Sequence, residues 1–237
     1  MMSGEVAIIA GAAATIGLVH TIFGPDHYLP FIVLSKARQW GAGKTALITF
    51  WCGLGHILGS VVLGLVGIAI GAAIFSIEAI ESFRGEIAAW FLIAFGFTYS
   101  VWGIHRALRS RRHVHQHVHE NGELHSHGHS HVIDHTHVHS GKQGSLTPWV
   151  LFIIFVFGPC EPLIPLVMYP AAEHNLMSVV LVAGLFGVTT ILTMLAIVLG
   201  ARYGLSKISL PWLEKYAHAL AGFSILLCGA SVKFLGL

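Results

Sequence analysis

The chain has 237 residues, of which 55% are hydrophobic and only 10% charged, with a formal net charge of +2. A mean hydropathy of +0.75 excludes a soluble domain, and so small a net charge gives no reason to expect a nucleic-acid partner. The chain reads as an all-α integral membrane protein.

Apolar runs occupy residues 6–34, 46–75, 87–104, 148–172, 177–200 and 216–236. Each is long enough to cross a hydrocarbon layer of ~30 Å, so six transmembrane helices are predicted. The first run has no basic n-region and continues past any plausible cleavage point, so it is expected to stay in the mature protein. It carries "HTIFGPDHYLPF", residues 20–31, which sets His20, Asp26 and His27 around a Gly-Pro break. A carboxylate at a span centre costs roughly 2.5–3.5 kcal/mol on the lenient insertion scale, so such groups are expected to face an interior path and to have partners. The second run adds His56 near mid-depth, flanked by Gly53, Gly55 and Gly59, which allow another helix to approach closely.

Of the 13 Lys and Arg residues, 11 fall between spans one and two, three and four, or five and six. That side is expected to be cytoplasmic, with both termini outside. The opposite connections are read as holding Glu78, Glu81, Glu86 and Glu173, with only Arg84 and Lys233 for basic company. Between spans three and four, residues 113–139 hold 11 histidines: His113, His115, His117, His119, His125, His127, His129, His131, His135, His137 and His139. This composition is expected to capture divalent transition metals at the inner mouth of a pathway, the alternative being a pH-sensing linker. "GAGKT" at residues 41–45 is too short for a phosphate-binding loop, and ATP hydrolysis or any other enzymatic activity is not expected.

In the fourth run "FGPCEPLIPLVM" (Phe157 to Met168) matches "FGPDHYLPFIVL" (Phe23 to Leu34) of the first. "GFTYSVWG" at residues 96–103 and "GFSILLCG" at 222–229 match in the same order. Three spans per copy is an odd number, so the second copy enters from the opposite side. This gives a 3+3 inverted repeat with helices 1 and 4 broken at Gly-Pro and a midplane site at the repeat interface. The expected organisation is a first repeat over residues 1–108, a cytoplasmic His-rich loop over 109–147 and a second repeat over 148–237. The two breaks pool Asp26 and His27 with Cys160 and Glu161; with His56 and His20 they form the predicted metal-ligand set, a mixture suited to transition metals rather than Mg²⁺ or Ca²⁺. Cys52, Cys160 and Cys228 all lie within spans, which indicates no disulfide framework. Hydroxyls such as Thr189 and Thr193 are expected to bond back to their own helix, and His105, His174 and His218 to sit at span ends.

His20 with Asp26-His27, the Gly55-His56 pair and the His-rich internal loop resemble the nickel/cobalt transporter superfamily, in particular its compact six-span branch of UreH-type permeases and nickel/cobalt efflux proteins. Five residues separate His20 from Asp26, where the uptake permeases have four, and those permeases usually have eight spans. The resemblance implies metal selection and passage at Asp26, His27 and His56. The resulting expectation is a secondary transporter of Ni²⁺ or Co²⁺, with Zn²⁺ a further candidate, held without a prosthetic group. The loop favours efflux and a cytoplasmic metallochaperone as partner. Protonation of His or Glu would weaken metal binding and supply the coupling.

"GPC" at residues 158–160 also resembles membrane electron-transfer proteins of the CcdA and DsbD type. These carry one redox cysteine in each repeat, whereas Asp26 stands at the position paired with Cys160. A thiol-disulfide carrier is therefore the alternative from a different class, and a metal receptor or storage protein is the third.

Overall fold

The structure, a computed structural model, describes residues 4–69, 74–109, 113–118, 124–129, 146–158, 160–172, 176–207 and 214–235. The chain begins with α1 (Gly4–Phe23), a 3₁₀ turn (Pro25–His27), α2 (Leu29–Ala37), α3 (Ala42–Ala69) and α4 (Ile74–Arg109). Two short strands follow, β1 (His113–Val118) and β2 (Leu124–His129), and then α5 (Thr147–Phe157), α6 (Leu163–Ala172), α7 (Leu176–Ser206) and α8 (Ala217–Leu235). Among the described residues, helices α3, α4, α7 and α8 are each long and apolar enough to cross a membrane, and α1 and α2, set at 84° to one another across the turn, make a fifth if the pair is counted as one span. Large apolar side chains such as Trp51, Phe83, Val180 and Leu192 are more than half exposed, as lipid-facing residues must be. The chain is an integral membrane protein whose candidate spans are all α-helical.

The bend after α1 follows from its sequence. Pro25 has no N–H to continue the helical ladder, and buried backbone groups in a membrane must find partners inside the protein. The Gly24 N–H donates to the His20 carbonyl at 2.9 Å, and the His27 N–H donates to the Gly24 carbonyl at 3.1 Å. The Tyr28 hydroxyl reaches back to the Ile22 carbonyl at 3.2 Å. The chain also breaks between α5 and α6: α5 ends at Gly158, and α6 starts with the Leu163 N–H on the Cys160 carbonyl at 2.9 Å.

Two apolar cores hold these bends in place. The larger joins Phe31 and Leu34 of α2 to Leu92, Leu151, Phe155, Met194 and Ile225. The smaller gathers Ala13, Ile57, Cys160, Leu163, Val182 and Phe186. The most extensive helix pairing is α4 with α8, where Gly96 and Gly103 face the backbone of Leu226 and Ala219, and Gly222 faces that of Ser100. Small residues let the two backbones meet, the usual means of tight packing between membrane helices.

Residues 76–86 were assigned to a connection between spans, yet α4 runs for 36 residues from Ile74 to Arg109 without interruption. Glu78, Glu81, Arg84 and Glu86 therefore lie on a helix, and Glu81 is fully buried. Opposite charges three residues apart share a helix face and neutralise one another, so the helix carries Glu81 and Arg84 without a break.

Basic residues gather at one end of the bundle. Lys36 donates to the Leu205 carbonyl at 3.2 Å, and Arg202 donates through Nε and Nη2 to the Trp40 carbonyl at 3.1 and 2.9 Å. Arg38 donates to the Tyr99 hydroxyl at 3.0 Å, which in turn lies 2.8 Å from His218 Nδ1. The Lys36 ammonium beside the Leu205 carbonyl complements the negative end of α7.

Candidate functional site at the helix breaks

The last turn of α1, the 3₁₀ turn and the middle of α3 bring three imidazoles together. His20, His27 and His56 each offer a ring nitrogen, and these atoms lie within 4.8 Å of one another. His27 Nε2 and His56 Nε2 are 3.3 Å apart, and the His20 and His27 rings meet edge to face at 4.6 Å between centroids. His27 and His56 are each 2% exposed, and His20 Nε2 is buried with no hydrogen-bond partner. Two nitrogens bound to one tetrahedral ion at ~2.0–2.1 Å stand about 3.4 Å apart, so the His27–His56 spacing and the unpartnered His20 nitrogen both suit a metal ion.

Asp26 plays a different part from the histidines. Its Oδ1 lies 3.0 Å from His27 Nδ1, which is also 3.2 Å from the Gly24 carbonyl. A carboxylate on the far nitrogen fixes the ring and its tautomer, the usual outer-shell support of a ligating histidine. Gly24 is needed for this arrangement, because a Cβ there would stand 2.6 Å from His27 Nδ1 and 2.9 Å from Asp26 Oδ1. Gly158 abuts the opposite side of the cluster, where a Cβ would meet His56 Nδ1 at 3.0 Å.

Cys160 and Glu161 do not join the three-imidazole group. Cys160 is fully buried in the smaller core, with Glu81, Asp26 and Arg84 as the charged groups acting on it. Glu161 is exposed and lines a cavity of about 510 Å³ that also reaches His20, Asp26 and His27. Lys233 of α8 and Glu86 of α4 line the same vestibule, and Lys233 Nζ meets Glu86 Oε1 at 2.5 Å.

A second polar cluster beside the α5–α6 break was missed in the sequence. Glu81 Oε2 pairs with Arg84 Nη1 at 2.5 Å, and Arg84 Nη2 donates to the Val156 carbonyl at 2.6 Å. The guanidinium thus satisfies a carbonyl that the break at Gly158 leaves without a helical partner. Gly59 makes room for it, since a Cβ there would be 2.7 Å from Arg84 Nη2. The only sequence signal was the acid-base spacing of three residues within an otherwise apolar stretch.

The remaining candidates are spread along the chain. His105 is exposed on α4, His218 belongs to the Tyr99 cluster, and Thr193 bonds back to the Thr189 carbonyl at 2.7 Å. Of the loop histidines, His113, His115 and His117 lie on β1, and His125, His127 and His129 on β2. His119, His131, His135, His137, His139 and the span-end His174 lie outside the described residues.

Comparison with protein-family models matches residues 12–231 to the cytochrome C biogenesis protein transmembrane region. No curated protein and no solved structure matches the chain significantly. The family match overturns the assignment to the nickel/cobalt transporter superfamily. With it go the functional expectations drawn from that assignment: a secondary transporter of nickel or cobalt, metal ions as cargo, and a cytoplasmic metallochaperone as partner. Those expectations rested on a few histidines and an aspartate at one break and on the loop, positions that can change while the bundle around them keeps its helix pattern. The match covers nearly the whole length, and the chain belongs to the family of the cytochrome C biogenesis protein transmembrane region.

Proposed function

We propose that the protein carries reducing equivalents across the membrane by thiol-disulfide exchange, with Cys160 as the exchanging thiol. The observation that carries this reading is the place of Cys160: a buried thiol directly after the Gly158 break, in a chain whose family match runs from residue 12 to 231. The finer architecture proposed with it is the 3+3 inverted repeat of six spans, residues 1–108 and 148–237, with α5 and α6 as the second broken span. The basic end of the bundle faces the cytoplasm and the Glu86–Lys233 end faces outward.

A family cysteine pair is reduced here to one thiol, because Asp26 stands at the position paired with Cys160. One thiol still suffices for a balanced exchange. The Cys160 thiolate attacks an acceptor disulfide, forming a mixed disulfide and releasing one acceptor sulfur, which takes a proton. A thiolate of a donor dithiol then attacks the Cys160 sulfur and releases the second acceptor sulfur as a thiol. The second donor thiol closes the donor disulfide and returns Cys160 to the thiol form. Two electrons and two protons have passed from donor to acceptor. Because Cys160 is buried, the broken spans must open toward the acceptor for the first attack and, with the acceptor still bonded to Cys160, also toward the donor for the second.

The test is electron transfer into proteoliposomes that hold a chromogenic disulfide, driven by an impermeant external dithiol. Cys160→Ser should abolish internal thiol release, while Cys52→Ser and Cys228→Ser keep it. Undiminished transfer by Cys160→Ser sinks the reading.

The three imidazoles favour a second reading of what the site holds: a resident divalent transition-metal ion on His20, His27 and His56, with Asp26 orienting His27. Such an ion would supply a fixed positive charge between the breaks. The purified protein should take up Co²⁺ with a tetrahedral ligand-field spectrum that His27→Ala removes. A featureless spectrum in both proteins would count against it.

A further inference from the structure

Thiol-disulfide exchange starts from a thiolate, so the Cys160 proton must be taken up before the sulfur can attack. Cys160 is fully buried among apolar side chains, out of reach of bulk water. One carboxylate is brought to this region by α4, which packs against both α5 and α6. Glu81 is fully buried, and its Oε2 is held by Arg84 Nη1 at 2.5 Å. Arg84 Nη2 is tied in turn to the carbonyl of Val156 at 2.6 Å, four residues before Cys160 in the chain. The pair therefore lies against the break that holds Cys160, and Glu81 acts on that thiol more strongly than Asp26 or Arg84 does.

Only one oxygen of this carboxylate is engaged. Glu81 Oε1 is buried with no hydrogen-bond partner among the described residues. A buried acceptor left open costs free energy, which a purely structural ion pair would avoid by using both oxygens. Asp26, the other acid acting on Cys160, is committed to His27 at 3.0 Å and lines the vestibule.

We propose that Glu81 is the proton acceptor for Cys160, an assignment that rests on the carrier reading of that thiol. As the break opens to an acceptor disulfide, the Cys160 thiol gives its proton to Glu81 Oε1, directly or through one water. The thiolate attacks, the mixed disulfide forms as the acceptor S–S bond breaks, and the departing sulfur takes the proton back from Glu81. Glu81 ends as it began, and the acceptor has gained one thiol. Arg84 holds Oε2 through both transfers, so the carboxylate stays in place.

The experiment follows that first exchange alone. Reduced full-length protein in detergent, with Cys52→Ser and Cys228→Ser so that Cys160 is its one thiol, is mixed with an excess of an uncharged dipyridyl disulfide. Release of the chromophore should vary little across about pH 6–8, because the proton goes to a resident carboxylate. Glu81→Gln keeps the shape and an oxygen for Arg84 but cannot take the proton. It should be about 100-fold slower at neutral pH and gain about tenfold per pH unit as hydroxide takes over. Glu81→Asp should keep the flat profile at a lower rate, and it decides the matter if Glu81→Gln does not fold. An unchanged rate and profile in Glu81→Gln, a steep profile in Glu81→Asp, or the same loss produced by Asp26→Asn in place of Glu81→Gln would overturn the proton acceptor and leave the carrier standing. A Cys160 that releases no chromophore in any of these proteins removes the carrier reading, and the proposal with it.

Discussion

At the scale of single residues, the site depends on two devices that place charge inside an apolar bundle. Arg84 is held between Glu81 and the Val156 carbonyl, and Glu81 is fully buried. Arg84→Leu leaves an unpaired carboxylate among apolar groups, and the expected loss is about 3–5 kcal/mol. The double variant with Glu81→Leu should recover part of it, since an apolar pair of similar volume often replaces a buried ion pair without loss, while the Val156 carbonyl stays without its donor. Thermal unfolding in detergent reads both, and equal midpoints for Arg84→Leu and wild type would refute the role given to the pair. Gly24 is the second device. Gly24→Ala forces His27 and Asp26 apart by the close approach at their ring and carboxylate atoms, and the expected drop in metal affinity is about 10- to 100-fold, the usual effect of disturbing outer-shell support. Gly41→Ala, where a Cβ meets nothing within 4 Å, is the control in the same Co²⁺ titration.

At the scale of elements, the α4–α8 pair shows how little of the packing comes from large side chains. Gly96, Gly103 and Gly222 bring one backbone against the other, and van der Waals contact is what associates helices in lipid. Gly222→Ala should destabilise the protein by about 1–3 kcal/mol through overpacking, whereas Gly184→Ala, which faces open space, should be neutral. Similar unfolding midpoints for the two variants would show that the helices separate at little cost. The matching glycines were legible in the sequence as a repeated motif. That they touch was not, because a motif says nothing about which helices become neighbours.

At the scale of the whole molecule, one vestibule is lined by His20, Asp26, His27 and Glu161 together with the Glu86–Lys233 pair. In oriented vesicles, a cysteine placed by Glu161→Cys in a Cys160→Ser background should react with an impermeant maleimide from the Glu86–Lys233 side alone. Adding Lys233→Ala should speed that labelling while changing stability by less than ~1 kcal/mol, as expected for a partly exposed ion pair. Labelling from the opposite side would reverse the proposed orientation of the vestibule.

The sequence by itself determined that the chain lives in a membrane and where its first helix breaks, because apolar length and the missing proline N–H act locally. It also marked His20, His27 and His56 as residues needing partners, since a polar group within a span is costly wherever the span packs. Only the tertiary structure decided that these three converge, that Asp26 supports one of them from behind, and that Cys160 and Glu161 part ways, one into a core and the other into the vestibule. Those outcomes depend on how α3, the two breaks and α4 are brought together, a matter of long-range packing. Glu81 and Arg84 show the same division: their spacing was visible along the chain, but the carbonyl that explains their burial is supplied by a helix more than seventy residues away.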